Sequence, residues 1–189
     1  ILVRREDLDR ATCCLVNLLG YAERERATHD VSFFAENGTH VELHFDLVEE
    51  DRANNAIALL RSVWDHVTLC EGCVYHYEMS DEFFYFYHIA HMAKHFEEGG
   101  CGIRPFLDIW ILEHSVAYND TNRNALLEQG GLLTFANAGR QLSSVWFDGA
   151  KHNEVTEQMQ SYILFGGVYG TLDNRVAVHQ NKQGGKIRY

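Results

Sequence analysis

Two runs of alternating apolar and polar residues flank Asn37-Gly38 and extend together over residues 31–47. An Asn-Gly pair between two such runs is a strong short-range signal for a β-hairpin. Because successive side chains of a strand point to opposite faces, Val41, Leu43 and the later apolar residues share one face, expected to be buried under helices. The other face carries three groups able to bind a metal ion or transfer a proton, namely Glu42, His44 and Asp46. A half-exposed antiparallel strand alternates in the same way without any such role, so the pattern alone leaves both interpretations open.

Helical periodicity dominates the rest of the chain. Helices are predicted over residues 4–21, 51–66, 81–98, 105–118, 122–129, 132–147 and 154–165. Residues 1–3 suggest a buried strand, residues 74–79 suggest an extended segment, and the tail from residue 171 suggests a loop. Asp51 and Ser80 are suited to cap the helices that follow them. The helix over residues 105–118 is apolar nearly all round and is expected to be central and buried. The predicted fold class is α+β, with a small sheet and hairpin in lobe 1–48 and a mostly helical lobe 49–189.

Composition limits the classes of partner. The formal net charge of −11 at pH 7 opposes bulk binding to nucleic acids and to anionic membranes. No apolar stretch reaches membrane-spanning length. The cysteine count of five is odd, and two of these cysteines are adjacent, which favours a reduced, cytoplasmic protein over a disulfide framework.

Two cysteine features carry weaker signals. Cys70 and Cys73 form a single CxxC motif without a second pair at zinc-ribbon spacing, which favours free thiols over a metal site. Cys101 stands between two glycines and could be reactive, although no base is placed beside it by the sequence.

The helix from Asp81 carries a polar stripe. His88, His91 and His95 follow Phe84 at spacings that place them on one face, and Lys94 borders that face. Zinc proteases use the same i, i+4 histidine pair but require Glu directly after the first histidine, where this chain has Met. The stripe is therefore either a ligand-facing surface or a set of hydrogen-bonded core or interface histidines.

Arg104 and Asp108 form an i, i+4 pair on the next predicted helix. An exposed pair of this kind is only a local ion pair. Because the helix is so apolar, we expect both side chains to be partly buried and paired elsewhere. Arg104 is then a candidate anion ligand, and Asp108 could orient a histidine of the preceding helix.

Four segments together resemble the family of uncharacterised nucleotidyltransferases, which has a polymerase-β-like fold. Ile1-Leu2-Val3 and the acidic helix after it resemble the strand end that follows the family's Asp-x-Asp motif. The segment from Val41 to Phe45 resembles the later strand with the third carboxylate. Residues 91–95 and 104–108 resemble the family's His-rich helix and its Arg-x-x-x-Asp helix, and residues 162–170 resemble its terminal Gly-Gly-x-Tyr-Gly segment.

The resemblance implies metal-dependent transfer of a nucleoside monophosphate from a nucleoside triphosphate to a hydroxyl or amine acceptor. Glu42 matches the third carboxylate, so it would be the catalytic residue that binds Mg²⁺. The implied nucleotide-binding residues are His91, Lys94, His95, Arg104 and Asp108. The three residues of the His-rich helix are expected to face a cleft between the lobes, near the strand that carries Glu42.

The resemblance also implies that the chain is truncated after the Asp-x-Asp motif, which would make it an inactive fragment of an enzyme. Two alternatives stay open at this point. One is a non-catalytic module that binds a nucleotide or a partner, and the other is a metalloprotein that uses His88, His91 and His95. Magnesium-dependent triphosphate binding would favour the transferase, and tight zinc binding by these histidines would favour the metalloprotein.

Overall fold

The chain forms two compact units in a computed structural model, which describes residues 1–48 and 55–166. The first unit is Ile1–Trp64, and the second begins at Asp65. Small antiparallel sheets come early in the chain and helices dominate afterwards, which confirms the predicted α+β class. The predicted boundary between the lobes follows residue 48, which is the last described residue before the gap at 49–54, so this boundary stays a prediction. The proposed Asp51 cap, the end of the Gly-Gly-x-Tyr-Gly segment and the predicted tail loop lie outside the described residues.

A three-stranded antiparallel sheet forms the first unit, in the order β1 (Ala22–Arg26), β2 (Asp30–Phe34) and β3 (His40–His44). The predicted hairpin joins β2 to β3. Gly38 has a left-handed φ of 85°, and its N–H donates to the Ala35 carbonyl at 3.0 Å. Phe34 pairs with His40 in the ladder, and the Ala35 N–H donates to the Thr39 carbonyl at 2.9 Å. The loop therefore has three residues, 36–38, rather than an Asn-Gly pair alone. A type I turn followed by a left-handed glycine is a common hairpin of this length.

The buried face of this sheet packs on the helical segment that precedes it. That segment consists of a 3₁₀ turn, helix α1 (Leu8–Cys13) and a π-helical turn that ends at Leu18. The shared core contains Leu8, Leu15, Val31, Phe33 and Leu43. Leu43 is 2% exposed, whereas its neighbour Glu42 is exposed, so the predicted separation of the two faces is confirmed. Val41 and Phe45 are only partly buried against this core.

Helix α2 (Asn55–Arg61) ends the first unit and is followed by a 3₁₀ turn, Val63–His66. Strands β4 (Val67–Leu69) and β5 (Tyr77–Met79) then form an antiparallel hairpin. The sequence predicted only the extended segment that contains β5.

Five helices complete the described part of the second unit. They are α3 (Asp81–Glu97), α4 (Arg104–Ser115), α5 (Asp120–Gln129), α6 (Leu133–Asp148) and α7 (Glu154–Gly166). Their bounds follow the predicted ones closely, and the Ser80 side chain caps α3 by accepting from the Phe83 N–H at 3.3 Å. Apolar side chains of α3 form much of the core, including Phe83, Tyr85, Phe86, Ile89 and Met92.

Helix α4 is not the fully buried helix that its composition predicts. Phe106 and Ile109 are fully buried, but Leu107 and Ile111 are 38% and 44% exposed. Helix α6 covers the buried face closely, since a Cβ added at Gly139 would lie 3.3 Å from Ile109 Cδ1. The prediction was wrong because an all-apolar sequence does not specify which of its faces a neighbouring helix will cover.

Candidate functional site

The outward face of β3 carries a carboxylate between two imidazoles. Glu42 is half-exposed, with Oε2 lying 3.5 Å from His44 Nε2 and Oε1 lying 3.9 Å from His40 Nε2. His40 Nε2 also lies 3.2 Å from the Ser32 hydroxyl on β2 and stacks on the Phe34 ring. Period-two alternation places His40, Glu42 and His44 on one face, as the sequence predicts for the last two.

The first three residues of the chain run parallel to β3 along its other edge. The Val3 N–H donates to the His44 carbonyl at 2.8 Å, and the His44 N–H donates to the Ile1 carbonyl at 2.7 Å. The amino group of Ile1 donates to the Glu42 backbone carbonyl at 2.8 Å. The extended segment 1–3, which leads into the first helical segment, therefore lies directly beside the strand that carries Glu42.

A second group of side chains that could bind a metal ion lies at the end of β3. The ligand atoms of His29, Asp30 and His44 lie within 4.8 Å of one another, and all three residues are partly buried. Asp30 is directly opposite His44 in the ladder, and the rings of His29 and His44 are 5.7 Å apart. Within the described chain, His29 Nδ1 is buried and has no hydrogen-bond partner. His29 and Asp30 thus add one ring nitrogen and one carboxylate oxygen beside the outward-facing side chains of His40, Glu42 and His44.

Sequence reasoning missed His29 and Asp30. The backbone carbonyl of His29 accepts from the N–H groups of Phe45 and Asp46, at 3.0 and 3.2 Å, and this fixes the histidine beside the end of β3. Asp46 itself lies beyond β3 and leaves the polar row, because its carboxylate lies 3.7 Å from Arg61 Nε and also accepts from the Val48 N–H.

The three histidines of the polar stripe on α3 have different partners in the structure. His95 Nε2 lies 3.2 Å from His91 Nε2, and His95 Nδ1 lies 3.7 Å from a Glu98 carboxylate oxygen. His88 faces the first turn of α4 instead, with Nε2 positioned to donate to the Pro105 carbonyl at 3.0 Å. Only the last two histidines of the stripe are therefore in direct contact with each other.

The electrostatic surroundings of this pair disfavour additional positive charge. Partial burial of the His91 ring, which keeps an exposed edge, lowers its pKa, and the neighbouring His95, Lys94 and His88 lower it further. Glu98 opposes this shift. Lys94, between the two histidines in sequence, is half-buried.

We expected Arg104 and Asp108 to be partly buried and paired elsewhere, and of this only the partial burial of Asp108 is found. The Arg104 side chain is 90% exposed, and its Nε lies 4.0 Å from the Asp108 carboxylate. Asp108 thus contacts its neighbour along the helix, while the carbonyl of Pro105 contacts His88. The expected burial of Arg104 was wrong because its side chain extends into solvent from the first residue of α4, and the expected pairing elsewhere was wrong because the Asp108 carboxylate lies near Arg104 of the same helix. Whether Arg104 and Asp108 bind nucleotide is a separate prediction that this geometry does not test.

Helices α4 and α6 also line a cavity that the sequence does not reveal. Its volume is about 380 Å³, and its lining includes Trp110, Glu113, His114, Arg140 and Lys151. The Trp110 indole N–H donates to the Asp148 carboxylate at 2.7 Å, and His114 Nε2 lies 3.8 Å from the same oxygen. Two cationic side chains thus meet an aromatic wall in an otherwise acidic protein.

Glu42 belongs to the first unit, and the His91–His95 pair and the cavity belong to the second. The predicted approach of His91, Lys94 and His95 to Glu42 therefore stays a prediction. In the part of the chain that the structure describes, no helix has both the length and the apolar character needed to span a bilayer.

Comparison with known proteins gives one match. Residues 1–148 match the sequence profile of a family described as uncharacterised nucleotidyltransferase. The matched range includes the outward-facing residues of β3, helix α3 with its histidines, the Arg104–Asp108 pair and most of the residues that line the cavity. No curated protein and no solved structure matches the chain significantly.

Proposed function

Because this chain belongs to the family of uncharacterised nucleotidyltransferases, we propose that it serves the transfer of a nucleoside monophosphate from a nucleoside triphosphate to a hydroxyl or amine acceptor. The observation that carries the proposal is the position of Glu42. It projects from the exposed face of β3, and residues 1–3, which lead into the first helical segment, run parallel to this strand. The resemblance assigns the third metal-binding carboxylate to this strand.

The residues around Glu42 fit a magnesium ion that is shared with a triphosphate. Mg²⁺ favours carboxylate oxygens and phosphate oxygens, and it keeps several waters. Glu42 offers one exposed carboxylate, and His44 at 3.5 Å and His40 at 3.9 Å hold it from either side. When bound, the metal would neutralise charge on the triphosphate.

The nucleotide-binding role of the second unit rests on the resemblance. We assign His91, Lys94, His95, Arg104 and Asp108 to contacts with the nucleotide. The exposure of the Arg104 guanidinium supports a phosphate contact, because an exposed guanidinium can bind a phosphate bidentately without first leaving a buried partner. We place the protein in the cytoplasm, and the five free thiols support that location.

Metal-dependent triphosphate binding tests the proposal directly. The purified chain would be titrated with ATP, GTP, CTP and UTP in turn by calorimetry, each with Mg²⁺ and with chelator. We expect at least one triphosphate to bind more tightly with Mg²⁺, and we expect Glu42→Gln to abolish that difference.

Glu36→Gln is the matched control, because Glu36 is an exposed carboxylate in the loop of the same hairpin. It should retain the magnesium effect. Equal binding with and without Mg²⁺, or an unchanged magnesium effect in Glu42→Gln, would contradict the assignment of Glu42.

A non-catalytic binding module is the second candidate, and the cavity between α4 and α6 favours it. Arg140 and Lys151 supply two cations to that cavity against the one carboxylate of Glu113, which lies 3.9 Å from Arg140, and Trp110 supplies an aromatic surface suited to a base or a ring. Magnesium-independent binding that is lost in Arg140→Gln but kept in Glu42→Gln would favour this candidate over the transferase.

A further inference from the structure

The loop of the β4–β5 hairpin folds back on itself around a CxxC motif. The Cys70 N–H donates to the His76 carbonyl at 2.9 Å, and the Cys73 N–H donates to the Cys70 carbonyl at 3.0 Å. Gly72 has a left-handed φ of 74°, which allows the tight turn between the two cysteines. These backbone contacts place His76 next to Cys70 across the loop.

Three different ligand types converge at this place. The Cys70 sulfur, one His76 ring nitrogen and one Glu78 carboxylate oxygen all lie within 4.8 Å of one another. Glu78 reaches the cluster from β5, where it is paired with Thr68 of β4. Zinc–ligand bonds are about 2.0–2.3 Å long, so small side-chain rotations would bring the three atoms onto one ion.

The hairpin has little else to hold it together. Its strands have three residues each, and an isolated two-stranded hairpin is marginally stable in water. Its apolar side chains are largely in solvent, since Val74 and Tyr75 are 69% and 81% exposed. A structural metal is a common way to stabilise a small segment that buries little apolar surface.

We propose that Cys70, His76 and Glu78 form a structural zinc site at the tip of this hairpin, with Cys73 as the fourth ligand. Thiolate and imidazole donors select zinc over magnesium and calcium, which prefer oxygen ligands. Binding releases the Cys70 and Cys73 thiol protons to solvent, because the thiolate is the form that binds the metal. The site lies in the second unit and is independent of the Glu42 assignment.

Cobalt substitution provides a specific test. The reduced full chain would be titrated with Co²⁺ and then with Zn²⁺, and its absorbance would be recorded. We expect one Co²⁺ per chain with a sulfur-to-cobalt charge-transfer band, and displacement of that cobalt by Zn²⁺. The His29, Asp30 and His44 group contains no sulfur, so cobalt bound there would lack the band.

Variants identify the ligands. Cys70→Ser should reduce the intensity of the charge-transfer band, Cys70→Ser combined with Cys73→Ser should remove it, and His76→Gln and Glu78→Gln should each weaken zinc binding. The losses should exceed the 10- to 100-fold typical of removing a group that only orients a ligand. Cys73→Ser should reduce the band intensity. Cys13→Ser is the matched control, because Cys13 is an exposed free thiol of the first unit, and it should bind zinc like the unaltered chain.

Hydrogen exchange gives a second readout that does not depend on the variants. Zinc should slow exchange of the Cys70 and Cys73 amides in the unaltered chain and leave the helices of the second unit unchanged. Failure to bind stoichiometric zinc, a band of unchanged intensity in Cys70→Ser, or zinc protection that lies elsewhere would each overturn the proposal.

Discussion

The guanidinium of Arg123 lies 3.0 Å from the Glu113 carboxylate and joins α5 to α4 inside the second unit. The Arg123 side chain is 5% exposed and also contacts Asp120 at 2.8 Å. The rings of Tyr85 and Tyr118 flank it, with their centroids 4.9 and 4.6 Å from the guanidinium carbon. A buried cation is thus enclosed by two carboxylates and two aromatic faces.

Arg123→Ala should lower the free energy of unfolding by about 3 kcal/mol, because it removes a buried cation and leaves the Glu113 carboxylate with the longer, 3.9 Å contact to Arg140. Urea denaturation followed by circular dichroism would measure the loss. Asp120→Asn is the control, and it should cost less than about 1 kcal/mol because the Asp120 side chain is 76% exposed. If the two variants lost similar amounts of unfolding free energy, the burial of the Arg123–Glu113 contact would contribute nothing to stability.

Gly38→Ala should destabilise the first unit by about 1–2 kcal/mol, the cost of a left-handed conformation for an L-residue. A Cβ at this position would meet nothing within 4 Å, so the cost is conformational rather than steric. Gly38→Asn should recover part of the loss, since Asn tolerates this conformation. Denaturant midpoints would measure both. A destabilisation by Asn as large as that by Ala would argue against a left-handed turn.

Cys101 should be unreactive in the folded chain. Burial raises the pKa of its thiol to about 12, so almost none of the reactive thiolate is present near neutral pH. Mass spectrometry after timed iodoacetamide treatment should show alkylation of the exposed Cys13 and Cys14 at least about 100-fold faster than that of Cys101. The difference should disappear in denaturant. Equal labelling rates in the native state would contradict the burial of this thiol.

Stability should fall on acidification through the titration of His91. The pKa of His91 is lowered in the folded state, chiefly by burial and then by His95, Lys94 and His88, so below about pH 6.5 the unfolded chain binds more protons. The contribution is complete above this pH and is lost as pH falls toward the lowered pKa. His91→Gln should reduce the pH dependence of the denaturant midpoint, and His40→Gln, in the other unit, serves for comparison. An unchanged pH dependence in His91→Gln would contradict the shift.

The chain by itself should show little or no nucleotidyl transfer. On the outward face of β3, as the structure describes it, there is one carboxylate, that of Glu42, and a single carboxylate does not hold the two metal ions that position a phosphate for in-line attack. Pyrophosphate release from each of the four triphosphates with Mg²⁺ would measure turnover. Robust turnover that survives Glu42→Gln would place the active site elsewhere.

Local sequence determined most of the secondary structure. The Ser80 cap, the acidic first turn of α3 and the helical spacing of its apolar residues act over one or two turns, so they predict the helix without knowledge of its neighbours. The same holds for the Asn37-Gly38 turn and for the alternation of β3. These signals were sufficient for the α+β class and for the exposure of Glu42.

The hairpin register was also contained in the sequence. A two-residue loop at Asn37-Gly38 would pair Val31 with His44 and so place a core residue opposite a polar one. A one-residue shift in register moves every side chain to the other face. Only a loop with an odd number of residues keeps both apolar sets together, and that register pairs Asp30 with His44.

The tertiary structure alone decided the rest. His29 reaches His44 through backbone contacts made by residues beyond β3, and Arg123 of α5, a helix that packs mainly against α3, meets Glu113 of α4 only in the folded second unit. An apolar composition did not show which face of α4 would be covered, or that α4 and α6 would enclose a cavity. Local propensity sets where an element begins and ends, but its partners depend on long-range packing, which the pattern of a single segment does not encode.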